Sequence, residues 1–204
     1  MDQGLRRFRM HTILIVDDSA YLVDLFSKML QRGGYQTIVA YSGEECISVL
    51  EKAKPDLILL DIMMDGMDGW ETLIKIKENS STSDIPVMME TAKQLTPEEA
   101  ENYYFYIEGY IMKPVTQKML HEAIQHVFDR RAAIEITAAH ARDAGVLPSF
   151  IEEYKNICRI VDVNSQLRKI LGSIYMEEPF FSTKEETRLS ELKKELTSRN
   201  IPVL

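Results

Sequence analysis

Short aliphatic runs alternate with helix-like segments from His11 to about Asp129, and no other feature constrains the fold so strongly. The runs at 13–16 and 57–60 are continuously apolar, as expected for strands that helices cover on both faces. Strands that alternate with helices indicate βαβ units, which place the strands in one parallel sheet. We therefore predict an α/β domain with strands at 12–16, 36–40, 57–60, 85–89 and 109–112.

Polar residues follow four of these apolar runs, directly after the point where each run ends. They are Asp17-Asp18, Asp61, Thr91 and Lys113-Pro114. In an open parallel sheet, ligands bind at the edge formed by the carboxyl ends of the strands. We therefore expect these residues to share one pocket. The Lys113–Pro114 bond is also a candidate for a cis peptide in a turn.

The residue types in this pocket favour phosphoryl chemistry. Carboxylates brought close together repel one another, and a bound cation relieves that repulsion. Oxygen ligands with water and a phosphate suit Mg²⁺, and the backbone carbonyl of Met63 is a further candidate ligand. Lys113 and Thr91 supply a positive charge and a hydroxyl donor for an anion. The Asp61 carboxylate is then the group placed to attack phosphorus.

Four segments carry a resemblance to a known family. They are ILIVDDS at 13–19, LLDIMMDGMDG at 59–69, PVMMETAK at 86–93 and YIMKP at 110–114. Together they closely resemble the receiver domain of two-component response regulators, over residues 11–129. The intervals from Asp61 to Thr91, 30 positions, and from Thr91 to Lys113, 22 positions, are those usual in that family.

The resemblance implies a fold and a reaction. The fold is a five-stranded, parallel, doubly wound sheet of the flavodoxin-like (CheY-like) kind, with strand order 2-1-3-4-5. Asp61 would accept a phosphoryl group from a phosphohistidine on a partner sensor histidine kinase. The protein would thus be a phosphoacceptor in signalling rather than an enzyme. Its only catalysis would be its own phosphorylation and dephosphorylation.

The resemblance also assigns roles to the surrounding residues. Asp17 and Asp18, with Asp61 and the Met63 carbonyl, would hold Mg²⁺. The phosphate would be bound by Lys113, Thr91 and the backbone amide of Ala92. Thr91 and Tyr110 would form the switch, and the change would appear on the face made by the fourth helix, fifth strand and fifth helix. A phosphoryl group adds a charge of about −1.5 to −2, so Lys113 and Thr91 gain a partner only in that state.

The sequence departs from the family's usual pattern at three places. Asp65 stands where many members have proline, in the loop after Asp61, and adds negative charge near the phosphate. Glu90 precedes Thr91, where a small or apolar residue is commoner. The fourth helix ends in the aromatic run Tyr103–Tyr106. The first two departures affect metal affinity and phosphate lifetime rather than the identity of the site. For the aromatic run, core packing and surface scatter are favoured over a dimer interface.

Composition restricts the compartment and the partners. The formal net charge is −8, and residues 1–129 hold 12 basic and 21 acidic side chains against 12 and 11 in residues 130–204. This balance argues against general coating of nucleic acid. Cys46 and Cys158 show no paired spacing, which favours a reducing, cytoplasmic setting. No apolar run reaches the roughly 18–20 residues that a membrane span needs. Residues 1–10 are expected to be a flexible tail without a secretory signal.

The C-terminal third is predicted to be helical. No Gly or Pro occurs from Thr116 until Gly145, so a long fifth helix is expected, with 130–145 as a helical linker and a weak coiled-coil stripe as the alternative. The remainder, 146–204, is expected to form a small α-helical output region. One helix begins near Pro148, with a break at 161–164 left open, and another begins at Ser182-Thr183.

Two functions are open for this output region. It is either a module for protein interaction or dimerisation, or a DNA-binding region that uses a set of basic residues. That set is Arg159, Arg168, Lys169, Lys193 and Lys194. A basic recognition helix with a glycine-containing turn is not evident, so protein interaction is preferred and DNA binding is the alternative. The predicted partners are a sensor kinase, an unknown downstream protein, and a second copy bound through the switch face or the C-terminal helices. A scaffold without signalling is a third hypothesis, which the complete set of site residues disfavours.

Overall fold

The structure is a computed structural model that describes residues 10–175 and 184–203. Within these ranges the strands and helices follow one another in the predicted alternation. They are β1 (Thr12–Val16), α1 (Ala20–Arg32), β2 (Gln36–Ala40), α2 (Gly43–Leu50), β3 (Leu57–Asp61), α3 (Gly69–Glu78), β4 (Val87–Thr91), α4 (Pro97–Tyr103), β5 (Gly109–Met112), α5 (Gln117–Asp143), α6 (Pro148–Tyr175) and α7 (Lys184–Ser198).

The strands form one five-stranded sheet in the order β2-β1-β3-β4-β5. β1 pairs in parallel with β2 and β3, and β3 pairs in parallel with β4. The side chains of 13–16 and 57–60 are completely buried, which explains why both runs are apolar without alternation. The parallel α/β class and the strand order predicted above are confirmed.

One strand begins later than expected. β4 starts at Val87 rather than at position 85. Pro86 has no N–H to donate to a neighbouring strand, although its carbonyl oxygen accepts a hydrogen bond of 2.9 Å from the Ile58 amide. The apolar pattern in the sequence therefore begins two residues before the strand itself.

Side-chain caps determine where several helices begin. At α4, the Glu99 amide donates to Thr96 Oγ1 and the Thr96 amide donates to the Glu99 carboxylate, both at 3.1 Å. This is a complete capping box. At α2, Ser42 Oγ accepts from the Glu45 amide at 3.1 Å, while the Glu45 carboxylate accepts from the Tyr41 amide. The helix start predicted at Ser182-Thr183 lies outside the described residues.

The chain divides into two compact units between Lys93 and Gln94. In the second unit α6 is continuous from Pro148 to Tyr175, without a break at 161–164. Val163 and Asn164 are buried there, so tertiary packing outweighs the weak helix propensity of valine and asparagine.

The segment predicted as a linker belongs structurally to this second unit. α5 is one helix of 27 residues. Beyond residue 130, Ala138 and Ala141 are buried in an apolar cluster with residues of α6 and α7. The other buried members of that cluster are Val146, Ile151, Tyr154, Leu192, Leu196 and Ile201. A functional boundary at 129/130 stays a prediction.

The aromatic run at the end of α4 is divided between the interior and the surface. Tyr104 is buried, and burial, followed by the charges of Glu185 and Glu101, raises its pKa to about 12. Phe105 and Tyr106 are exposed. Among the described residues, no helix has the length and apolar character to cross a membrane.

Candidate functional site

The carboxyl ends of β1, β3 and β4 lie side by side in the first unit. Val16 is paired in register with Leu60, and Asp61 is paired with Glu90. Asp17 directly follows Val16, and Asp61 directly follows Leu60. The two aspartates therefore lie at the ends of adjacent strands, and adjacent strands are about 4.8 Å apart in a sheet. Thr91 ends the next strand. The register thus brings together three of the residues that the sequence singled out.

The carboxylates of Asp17 and Asp61 are withdrawn from water. Asp17 is completely buried and Asp61 is 6% exposed. One oxygen of Asp17 accepts a 2.8 Å hydrogen bond from the Ser19 amide. Two desolvated carboxylates on neighbouring strands destabilise the fold unless a proton, a hydrogen-bond donor or a cation compensates their charge.

These carboxylates fit a hard divalent cation. Within residues 10–175 and 184–203, no three His, Cys, Asp or Glu side chains are grouped so as to hold a metal ion by themselves. Mg²⁺ does not require such a group, because proteins commonly hold it through one or two carboxylates together with phosphate oxygens and water. The donors at the ends of β1 and β3 meet that description.

Asp18 is arranged differently from its neighbour. Its side chain is exposed, and one carboxylate oxygen accepts a 3.0 Å hydrogen bond from the backbone amide of Asp65. The bond ties the end of β1 to the loop after β3. Asp18 thus differs from the buried pair in exposure and in its hydrogen-bond partner, its role as a metal ligand stays a prediction, and sequence spacing contained no sign of the contact with Asp65. Met63 lies in the same loop, with a side chain that is 58% exposed.

Gly69 supports the backbone of the site, a role that the sequence analysis did not assign to it. A Cβ atom at this position would lie 2.1 Å from the carbonyl oxygen of Asp61 and 2.6 Å from Ile62 Cα. The Gly69 amide donates a 3.0 Å hydrogen bond to the Ile62 carbonyl oxygen. The first turn of α3 therefore packs directly on the backbone that carries Asp61, and only glycine permits this approach.

Thr91 and the residues after it form a tight turn. Thr91 is completely buried, and its Oγ1 accepts a 3.1 Å hydrogen bond from the Lys93 amide. This short-range bond holds the hydroxyl near its own backbone. Ala92, between them, is exposed, whereas Glu90 before Thr91 is completely buried.

The remaining predicted residues lie on β5, in the second unit. Tyr110 is buried within the strand, and Lys113 follows its last residue. The Lys113–Pro114 peptide bond is cis, as the sequence suggested.

Comparison with known proteins assigns the family. A family model described as the response regulator receiver domain matches residues 13–125, more than half of the chain. The chain belongs to this family. The predicted resemblance is thereby confirmed, and receiver domains are signalling phosphoacceptors whose phosphorylation uses Mg²⁺.

Individual relatives agree with this assignment. The chain is 62% identical in sequence to a protein of known crystal structure, the N-terminal domain of a response regulator receiver protein from Methanoculleus marisnigri JR1. The match covers 57% of this chain and 95% of that chain, with a TM-score of 0.50. Protein PilH of Pseudomonas aeruginosa is 31% identical over 58% of this chain and 98% of its own. The transcriptional regulatory protein YvrH of Bacillus subtilis is 39% identical over 50% of this chain.

The match to YvrH spans only 43% of that relative's length. The C-terminal region of the response regulator matches a different model, described as Metanogen output domain 2, over residues 130–200. That description is not one of a known DNA-binding domain.

Proposed function

We propose that this response regulator accepts a phosphoryl group on Asp61 from a sensor histidine kinase and transmits the change to helices α6 and α7. The observation that carries the proposal is the position of Asp61. Its carboxylate lies nearly buried at the carboxyl end of β3, beside the buried Asp17, in a chain of the receiver family.

The proposed transfer is a single displacement at phosphorus. A carboxylate oxygen of Asp61 attacks the phosphorus atom of a phosphohistidine. The new O–P bond forms as the P–N bond breaks, and the imidazole of the kinase leaves with the electron pair. Mg²⁺, when bound, supplies positive charge that stabilises the transferring phosphoryl group.

We assign the metal to Asp17, Asp18, Asp61 and the Met63 carbonyl. One oxygen of the Asp18 carboxylate accepts a hydrogen bond from the Asp65 amide. Its other oxygen would be able to coordinate the cation directly or through water while that bond persists. The negative side chain of Asp65 adds to the local charge that the cation must neutralise.

The groups proposed to bind the phosphate are those that the family resemblance assigned to it. Lys113 would pair with the phosphate oxygens. The Ala92 amide and the Thr91 hydroxyl would donate hydrogen bonds. To donate to the phosphate, the Thr91 hydroxyl must direct its hydrogen towards it. The oxygen can still accept from the Lys93 amide, because a hydroxyl both donates and accepts. Tyr110 would respond to the movement of Thr91.

The acceptor role of Asp61 is tested by incubating the chain with Mg²⁺ and a small phosphodonor. Asp61→Asn is expected to lower phosphate incorporation by more than about 100-fold, because the amide has no nucleophilic carboxylate oxygen. Asp24→Asn is the matched control, since Asp24 is exposed on α1 and pairs only with Lys28 in the contacts described, at 2.6 Å. Incorporation is measured by intact mass. Equal incorporation in wild type and Asp61→Asn contradicts the proposal.

Contacts within the second unit favour protein interaction as the output. The Arg159 guanidinium donates a 3.1 Å hydrogen bond to the Ile107 carbonyl oxygen, and Arg168 pairs with Glu186 at 2.7 Å. Both arginines belong to the basic set considered for DNA binding. Using them within the protein removes them from the charge that would contact phosphates.

DNA binding is the second candidate, because YvrH is described as a transcriptional regulatory protein. We expect the phosphorylated chain to give no sequence-specific shift of genomic DNA fragments in a gel-shift assay. A shift that weakens steeply with added salt and survives competitor DNA would establish the DNA-binding output instead.

A further inference from the structure

A group of charges with a buried centre joins three elements of the second unit. We call it the Arg130 cluster; it consists of Glu108, His126, Arg130, Arg131 and Asp162. Glu108 directly precedes β5, and Asp162 lies on α6. The other three members, His126, Arg130 and Arg131, lie on α5. The side chains of Glu108 and Arg130 are only 6% and 9% exposed.

Arg130 is the centre of this cluster. Its guanidinium donates to the carboxylate of Glu108 on one side and to the carboxylate of Asp162 on the other. It also donates a 3.0 Å hydrogen bond to the Glu108 carbonyl oxygen. Arg131 donates to the second carboxylate oxygen of Glu108 at 2.7 Å. One arginine of α5 thus holds together the start of β5 and the middle of α6.

Asp162 is the attachment point on α6. Besides Arg130, it accepts hydrogen bonds from His126 at 3.0 Å and from Gln166 at 2.7 Å. Burial alone would raise the pKa of Asp162, but the Arg130 charge and the His126 hydrogen bond outweigh burial and hold it below its ordinary range. The carboxylate therefore stays ionised and charge-paired near neutral pH.

A second contact attaches the same turn of α6. Arg159 precedes Asp162 by three residues, about one helical turn, and donates to the carbonyl oxygen of Ile107. Burial lowers the pKa of the Arg159 guanidinium, and the charge of Glu108 partly offsets that effect. Residues 107–108 thus receive α6 directly through Arg159 and indirectly through Arg130.

The chemical nature of this contact differs from that of the neighbouring helix packing. The first half of α6 joins α5 and α7 through the apolar cluster around Ile151 and Tyr154, which ends at Cys158. From Arg159 onward, charged contacts of Arg159 and Asp162 add to the apolar packing of Ile160, Val163, Leu167 and Leu171, which are buried on the same stretch of α6. A buried ion pair adds little net stability relative to apolar packing, because its charges regain hydration when it opens. A charged attachment can therefore be released at lower cost than an apolar one.

We propose that the Arg130 cluster is an ionic latch that seats α6 against β5, and that its opening transmits the receiver switch to the output helices. The inference rests on the proposed function, since Tyr110, the proposed switch residue, lies on β5 two positions beyond Glu108, which directly precedes that strand. α6 packs against β5 in this state. A homodimer through the face formed by α4, β5 and α5 therefore requires the latch to open first.

The latch is tested by hydrogen–deuterium exchange of the full chain. Asp162→Asn keeps the shape of the side chain but removes its charge. It is expected to speed amide exchange in residues 159–171 by roughly tenfold, the factor for loss of about one charge-assisted hydrogen bond. Exchange in α7 and in β1 should not change. Glu153→Gln is the matched control, because Glu153 lies on the same helix and pairs with Arg188, but that pair is about 40% exposed.

Unchanged exchange of 159–171 in Asp162→Asn, or an equal effect of Glu153→Gln, overturns the latch. Should Asp162→Asn raise exchange throughout the chain, His126→Leu decides the question, because His126 is half exposed and its replacement removes one contact of the cluster with Asp162. An increase confined to 159–171 in that variant supports the latch, and no increase overturns it.

A second arm separates the latch from the proposed function. The wild-type chain is treated with phosphodonor and Mg²⁺, and phosphate incorporation and exchange are measured on the same sample. Faster exchange of 159–171 with phosphate bound supports the latch as the route of transmission. Incorporated phosphate with unchanged exchange overturns it. Absence of incorporation overturns the proposed function, and the Asp162→Asn result then decides alone whether the cluster holds α6.

Discussion

Gly69→Ala is expected to lower the free energy of unfolding by about 3 kcal/mol, the upper range for overpacking a filled site. The added Cβ would meet the Asp61 carbonyl oxygen at 2.1 Å, so either α3 or the end of β3 must move. The atoms that the Cβ would overlap, the Asp61 carbonyl oxygen and Ile62 Cα, both belong to the backbone, so no side-chain rotation relieves the overlap. The change is measured by chemical denaturation followed by circular dichroism.

The same substitution should also slow phosphorylation, by about 100-fold, because a displacement near 1 Å at a reacting group has that order of effect. Gly172→Ala is the control. A Cβ at Gly172 meets nothing within 4 Å, and the residue lies inside α6. Alanine there should stabilise the chain by about 0.5–1 kcal/mol. A Gly69→Ala variant with wild-type stability and wild-type phosphorylation would show that the loop after β3 does not position Asp61.

Arg130→Met is expected to cost about 3 kcal/mol, near the lower end for removing one partner of a buried ion pair. Methionine retains an unbranched apolar side chain at the site but leaves Asp162 without its arginine and Glu108 with Arg131 alone. The remaining arginine keeps the loss from being larger. Chemical denaturation measures the effect.

The matched control is Arg142→Met on the same helix. Arg142 pairs with Glu135 at 4.0 Å, and both side chains are more than half exposed. Exposed pairs of this kind contribute little, so the variant should remain within about 0.5 kcal/mol of wild type. Equal effects of the two substitutions would mean that the Arg130 cluster is no more than a surface ion pair.

Local signals were sufficient to predict most of the receiver fold. The runs at 13–16 and 57–60 had to be buried on both faces, and a strand buried in that way belongs inside a parallel sheet. The start of α4 is also determined locally, because the capping box of Thr96 and Glu99 involves residues only three positions apart. Patterns of this kind depend on nearest neighbours along the chain.

The site was predictable only in outline. Strand ends converge on one edge of a parallel sheet, so the adjacency of Asp17, Asp61 and Thr91 followed from the order of the strands. The bond from the Asp65 amide to Asp18 joins residues 47 positions apart through a backbone N–H, which every residue except proline offers. Side-chain identity therefore contains no signal for it. The need for glycine at position 69 likewise depends on where the backbone of Asp61 lies.

The arginines show most clearly where periodicity stops being informative. No sequence pattern distinguished Arg130 from Arg131, whereas Arg130 is the more buried of the two and makes the central contacts. Adjacent arginines on a helix both have stems long enough to reach a buried carboxylate. Arg159 was considered for DNA binding, and its partner is a backbone carbonyl 52 positions away. Such long-range pairings depend on tertiary packing rather than on sequence spacing.

The central claim is that Asp61 is the residue that becomes phosphorylated, and chemical mapping tests it most directly. The chain is treated with phosphodonor and Mg²⁺ and then with borohydride, which reduces an acyl phosphate to an alcohol and so marks the acceptor permanently. Peptide mass spectrometry should find the mark on Asp61 alone among the carboxylates of the chain. A mark on Asp17, Asp18 or Asp65 instead, or no mark in a chain that has taken up phosphate, would contradict the account.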